Sequence, residues 1–328
     1  MNLEDHFPED PFLPSLCYAA AQQLPVNLPW ASQRITLGTG FLLSDPASRE
    51  PLRGSEAISS TYREQNLPIY YEDNSGTYIE AMSTTAGSAY DHVDLSVAAS
   101  IGGSLLGASG RGTYETKTLA CRDAIKASVR STFLAGTITF GSPPSLSAAA
   151  LQTLRQSRSN TYSPEAAFRQ RYGDYYVAAL RLGGSNATMV SATVASSSES
   201  KDMAADVTAK IVFVEKAMHL EDHTARQTIQ GTVTLTGFDS LDSWNGSKVC
   251  SDFTSYTTLR PIAEENLARA QTIEARSRQR MLVLGVQDQA ELAWETCIRL
   301  CERGVVAEIL LLPFSGLRDY VQAIRSTL

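Results

Sequence analysis

The sequence predicts an α+β protein with a mostly antiparallel central sheet of about four long strands, flanked by helical clusters. Three observations predict it. Hydrophobic residues make up 43% of the 328 and charged residues 19%, a composition that folds into a globular core. Several segments alternate apolar and polar residues with period two, the mark of half-buried strands. Two units share one plan, amphipathic strand, helical insert, amphipathic strand, and they bracket an aromatic strand at 172–184.

In chain order, residues 1–30 hold Phe/Pro-rich turns and a short helical stretch at 16–24. Residues 33–43 read as a first strand. Residues 66–82 read as a Tyr-rich strand, a turn at Asp73-Asn74-Ser75-Gly76 and a second strand. The first unit spans about 93–140. Val93, Leu95, Val97, Ala99 and Ile101 alternate with Asp94, Ser96, Ala98 and Ser100. A Gly/Ser cluster follows at 102–112, then a predicted helix at 116–131. Leu134, Gly136, Ile138 and Phe140 then form the closing strand. After Gly141-Ser142-Pro143-Pro144 comes a helix at 146–157. Ser163-Pro164-Glu165 then supplies an N-cap, a first-turn proline and an acidic first turn. The second unit spans about 204–237. Ala205, Val207, Ala209, Ile211 and Phe213 form one face of its first strand, 215–228 its polar helical insert, and Ile229, Gly231, Val233 and Leu235 one face of its last. A charged helix follows at 257–280. Residues 281–328 read strand (281–286), helix (290–303), strand (305–312), helix (317–326). That is a small α/β element packed on or appended to a 1–280 domain.

The most specific motif is Arg171-Tyr172-Gly173-Asp174-Tyr175-Tyr176, six residues, then Gly183-Gly184. Two glycines inside a strand pattern mark a bulge, a bend or a close backbone approach. The motif resembles the signature of the membrane-attack-complex/perforin (MACPF) superfamily, with Asp174 and Tyr175 where that family carries a small hydroxyl residue and a His. The resemblance covers about 33–275. Trp244 and Leu259-Arg260-Pro261-Ile262 match an aromatic and a Pro-Ile segment that follow the second unit in the family. It implies a bent and twisted four-stranded sheet and a pore-forming function. The protein would be a monomer in solution that assembles into a ring on a target membrane, with a protein partner as one route to it. β-Hairpins would insert from the regions about 93–140 and 204–237. Tyr172, Gly173, Tyr175, Tyr176, Gly183 and Gly184 are then the signature and hinge residues, and replacing both glycines by Val is expected to leave a folded monomer that cannot oligomerise. The alternatives are a non-lytic perforin-fold binding or adhesion protein, and a metalloenzyme.

A membrane β-strand needs about 9–11 residues, apolar toward lipid and polar toward the lumen. Val93, Leu95, Val97, Ile101, Val207, Ile211, Phe213, Val233 and Leu235 are the membrane-hairpin candidates. Lys117, Arg122, Asp123, Lys126 and Arg130 would have to face the lumen, and Arg122, Lys126 and Arg130 share parity. The docking residues expected for the folded inserts are Leu119, Ala120 and Ile125 in the first and Val212, Val214 and Met218 in the second.

The net charge of -7 argues against a general nucleic-acid binder and against adsorption to anionic lipid through a basic patch. The acidic N-terminus has no apolar core of a secretory signal, so synthesis in the cytoplasm, or release by a leaderless route, is expected before association with a target membrane. Five scattered cysteines argue against a disulfide framework, and Cys297 and Cys301 read as buried thiols on one helix face. The sequons at Asn186 and Asn245 read as chance matches. Gly107–Gly112 lacks the Lys of a phosphate loop. His219 and His223 stand at i, i+4, a spacing that can bind zinc, without a third ligand in the pattern. No Ser/His/Asp order or nucleophile elbow appears. No enzyme and no cofactor is expected.

Overall fold

The computed structural model describes residues 22–30, 34–44, 52–71, 74–83, 92, 114, 117–123, 125–155, 163–192, 233–242, 245–250, 253–286 and 288–326. The strands are β1 (Val26–Pro29), β2 (Gly40–Phe41), β3 (Leu67–Tyr70), β4 (Ser75–Ser83), β5 (Ile125–Thr139), β6 (Tyr175–Ala192), β7 (Val233–Asp239), β8 (Asn245–Cys250), β9 (Glu291–Leu292) and β10 (Val306–Pro313). The helices are α1 (Ala148–Arg155), α2 (Pro164–Tyr172), α3 (Phe253–Gln271), α4 (Ile273–Val283), α5 (Trp294–Glu302) and α6 (Arg318–Arg325).

The fold is α+β, and each described strand pairing is antiparallel. The expected four strands are too few. Among the described residues the sheet is ten-stranded, with nine strands in one main ladder and two-residue β9 added at the edge of β3. β10, from the stretch read as a C-terminal α/β element, lies between β1 and β6 inside the main sheet.

Two other expectations give way. The helix predicted over 116–131 is helical only at 117–120 among its described residues, and β5 begins at Ile125. Lys126, Ser128 and Arg130 alternate with Ala127 and Val129, and β6 pairs with this run from end to end. Ladder pairing outweighs the helix propensity of Ala, Lys and Arg. The strand predicted at 281–286 is instead the end of α4. Gly285 takes φ 74° there, its N–H donates to Leu282 O at 3.0 Å, and Val286 N–H reaches Met281 O at 3.0 Å. That is a Schellman closure. β3 and β4 do not form a hairpin, because both pair with β5, one after the other along it.

The N-cap read at Ser163 is present. Its hydroxyl accepts from Ala166 N–H at 3.2 Å, and Pro164 opens α2. The main core packs Leu180 and Val177 of β6, Ile138 of β5 and Ile309 and Leu311 of β10 against α1, α2, α5 and α6. Cys297 and Cys301 of α5 sit in this core as free thiols, and burial pushes each up to about 12. Among the described residues no helix is long and apolar enough to cross a membrane.

Candidate functional site

The site is built on β5 and β6, which pair along almost their whole length. Both change their outer neighbours at the same level. β6 pairs with β10 from Tyr175 to Leu182 and with β7 from Asn186 to Ala192. β5 pairs with β3 at Thr137 and Ile138 and with β4 from Lys126 to Leu134. Gly183, Gly184 and Ser185 lie at the changeover in β6. Opposite them a bulge interrupts β5 between Leu134 and Gly136. One half of the sheet therefore joins the other through β5 and β6.

The glycine pair is required there by close approach. A Cβ on Gly183 would stand 1.7 Å from Phe133 O, and the residue takes φ +158°. A Cβ on Gly184 would meet Ser277 Oγ at 2.7 Å and Leu241 Cδ1 at 2.9 Å. The first overlap is with backbone and the second with side chains of a packed helix and turn. Val at 183 would press on the Phe133 carbonyl of β5, so the double Val exchange is expected to strain the sheet as well as the glycine pair.

The rest of the signature forms the entry to β6. Gly173 ends α2 at φ +90°, and a Cβ there would stand 2.3 Å from Phe41 O. Asp174 accepts from Leu43 N–H at 2.7 Å and Ser44 N–H at 2.8 Å, so it ties the loop after β2 to the strand. Tyr172, Tyr175 and Tyr176 are core residues, and burial pushes Tyr175 and Tyr176 up to about 12.

Helix α4 lies across the changeover. Ile273 and Met281 join the core, the buried Ser277 faces Gly184, and Arg278 stacks over the Phe133 ring at 5.0 Å. A buried polar cluster fastens this helix and α3 to the sheet. Asp239 of β7, fully buried, accepts from Arg276 Nη1 at 2.7 Å and Nη2 at 3.0 Å. It also accepts from Asn186 Nδ2 at 2.8 Å and Leu241 N–H at 2.9 Å. Asn186 donates to Asn266 of α3 at 3.0 Å, and Asn266 bonds Thr188. Arg276 reaches Asp242 as well, at 2.7 Å. Burial alone would lower the Arg276 guanidinium; the hydrogen bond and charge of Asp239, then Asp242, outweigh it and hold it above its ordinary value. The sequon residue Asn186 is thus a buried structural amide.

The opposite face of this half is covered by described pieces of the first insert. His92 Nδ1 lies 2.7 Å from Ser128 Oγ, Tyr114 packs with Phe238, Ala187 and Met189, and Asp123 accepts from Ser191 Oγ at 2.5 Å. Leu119 is half-buried and Ala120 exposed, so Tyr114 is the apolar anchor that the sequence reading missed. Ile125 belongs to β5 rather than to a helix.

Four strand ends meet at this edge. Ser83 opposes Lys126, and Ala192 opposes Val233. The chain between β4 and β5 and the chain between β6 and β7 therefore both leave from one end of the sheet, each from an antiparallel pair. Val93, Leu95, Val97, Ile101, Val207, Ile211 and Phe213 lie outside the described residues, as do Val212, Val214, Met218, His219 and His223. Val233 opens β7, and Leu235 is buried on the side of α3 and α4. The strands β4-β5-β6-β7 thus lie side by side in chain order, with residues 84–124 joining β4 to β5 and 193–232 joining β6 to β7.

No family model matches the chain, and no curated protein matches it. Solved structures do. GNIP1Aa from Chromobacterium piscinae is 15% identical at TM-score 0.36, over 76% of this chain and 50% of that one. A Bacteriodes thetaiotaomicron protein with a MAC/Perforin domain is 12% identical at TM-score 0.29, over 86% of this chain and 64% of that one. A non-hemolytic pneumolysin from Streptococcus pneumoniae is 9% identical at TM-score 0.30, over 88% of this chain and 63% of that one. The chain spans less than two thirds of the length of each of these.

Proposed function

We propose that this chain is a pore-forming domain that assembles on a membrane and inserts one β-hairpin from each of its two long inserts. The observation that carries the reading is the meeting of four strand ends at one edge, Ser83 with Lys126 and Ala192 with Val233. Each insert connects two strands that are already antiparallel neighbours. Zipping an insert into strands extends an existing ladder and needs no new topology. Residues 84–124 and 193–232 would each supply about 18 residues per strand. At ~3.4 Å per residue that is ~60 Å, against a hydrocarbon core of ~30 Å.

Gly183 and Gly184 serve as the hinge in this reading, and α4 is the wedge upon it. Straightening β6 changes the backbone angles at the partner changeover, where glycine accepts values barred to other residues. The wedge must leave for that to happen. β4 has no partner on its outer edge among the described residues, and an open edge of nine residues is a template for a neighbouring copy. Lipid tolerates no unpaired strand edge, so inserted strands must close into a barrel of many copies. The role requires no catalytic group and no cofactor.

The test is dye release from liposomes of graded lipid composition, followed by imaging of the membranes for rings. Release with rings is expected on at least one composition. Binding without release on every composition would overturn pore formation and leave the non-lytic binding role.

A further inference from the structure

The two faces of β4–β7 beside the insert edge differ in charge. Cross-strand pairing places Lys126, Ser128, Arg130 and Thr132 of β5 on one face. Ser185, Ala187, Met189 and Ser191 of β6 share it, with Thr234, Thr236 and Phe238 of β7 and Thr77, Ile79 and Ala81 of β4. That face carries two cations and, among the described residues of these strands, no acid. The other face carries Ala127, Val129, Phe133, Val190 and Leu235, all buried, and both acids of these strands, Glu80 and Asp239.

At its end beside the inserts the cationic face is covered in this conformation. Lys126 has no exposed surface, and its Nζ donates to Asp123 O at 2.7 Å. Ser128 meets His92, and Ser191 meets Asp123. Those contacts come from the insert that the pore reading requires to leave. Departure of the insert removes these contacts and exposes Lys126 to water.

We infer that this face becomes the lumen wall of the pore, with Lys126 and Arg130 of every copy forming two stacked cationic rings that make the pore prefer anions. The inference rests on the pore reading above. Within the bilayer a barrel wall turns its polar face to the lumen, and a hairpin that extends β5 keeps its parity, so the face of Arg122 continues upward as that of Lys126 and Arg130. Next to the inserts, Lys126, Ser128, Ser191, Thr234 and Thr236 outnumber Met189 on this face, and Ala127, Val129, Val190 and Leu235 outnumber Thr188 on the other. Residues 126 and 130 stand ~13 Å apart along a strand, so the rings act on a permeating ion in succession.

The experiment is conductance across planar bilayers under a potassium chloride gradient. The unsubstituted protein should pass chloride in preference to potassium. Lys126→Gln with Arg130→Gln should lower the chloride-to-potassium permeability ratio at least about threefold. A sulfonated methanethiosulfonate reagent should cut the current of Ser128→Cys and leave that of Val129→Cys unchanged, with the unsubstituted protein as control. That second measurement decides where the Gln variant opens no channels. An unchanged permeability ratio, or block at position 129 in place of 128, overturns the lumen assignment while pore formation stands. Absence of channels from the unsubstituted protein removes the pore reading and this inference together.

Discussion

Arg276→Gln tests whether the buried polar cluster is what holds α4 over the glycine pair. The side chain of Asp239 has no exposed surface and takes four hydrogen bonds, two of them from Arg276. Removing the guanidinium strips half of those donors and the countercharge, while Asn186 and Leu241 N–H remain. Breaking a buried ion pair from one side costs about 3–5 kcal/mol. Arg276 itself keeps 22% exposure, so water reaches the vacated place and the loss should fall to about 2–3 kcal/mol. At ~2–4 °C per kcal/mol for a large domain, the melting temperature should drop by about 4–12 °C. Asp239→Asn leaves Arg276 its Asp242 contact at 2.7 Å and should cost less, about 1–2 kcal/mol. The assay is urea denaturation of both single variants and the double variant, with hydrogen exchange at Ser277–Met281 as the local readout. The two substitutions should couple by about 1.5 kcal/mol, and exchange in α4 should quicken more than in β10. Losses that add to within about 0.5 kcal/mol would show that the pair does not hold the helix.

Gly184→Ala sets a Cβ against Ser277 Oγ and Leu241, both side-chain contacts that can yield, so it should fold with a loss of about 1–3 kcal/mol and shed α4 more readily; Gly183→Ala meets a backbone carbonyl and should lose far more, and equal denaturation midpoints for the two would contradict the geometry. Cys297 and Cys301 should resist a thiol reagent at pH 8 while the half-buried Cys121 reacts, because burial holds both core thiols protonated up to about 12. The fold binds those protons more tightly than the unfolded chain, whose thiols ionise near 9.0, so their contribution is intact below that pH and is lost from there to about 12. Tyr175, Tyr176 and Tyr320, raised from 10.0 to about 12, act in the same direction. Stability measured by urea should therefore be flat from pH 7 to 8.5 and fall above it; a fall already complete by pH 8.5 would contradict the burial of these groups.

Local chemistry was legible in the sequence where it was written locally. The Ser163 cap, α2 and the glycine pair inside a long aromatic strand followed from residues a few positions apart. So did the helices and strand of the last third that became α5, β10 and α6. The first insert was misread at its end because Lys126-Ala127-Ser128-Val129-Arg130 suits a helix by propensity and a strand by alternation, and only pairing with β6 decides between them. Residues 281–286 form a short apolar run whose periodicity cannot separate helix from strand. The turn at Gly285 resolves it, leaving Leu282 and Val283 exposed. The polar cluster was not legible at all. Asn186, Asp239, Asn266 and Arg276 are each ordinary in local context, and what joins them is the packing of α3 and α4 on two strands that are distant in sequence.

The account depends most on the conversion of the first insert from a cover into a hairpin. His92→Cys with Ser128→Cys, bridged by a short reducible bis-thiol linker, would hold that insert on the sheet where His92 and Ser128 now meet at 2.7 Å. Dye release from liposomes is then followed before and after reduction of the linker. The bridged protein should bind membranes without release, and reduction should restore the rate of the unbridged variant. Release by the bridged form as fast as by the reduced form would contradict the conversion, since a pinned insert cannot cross the bilayer.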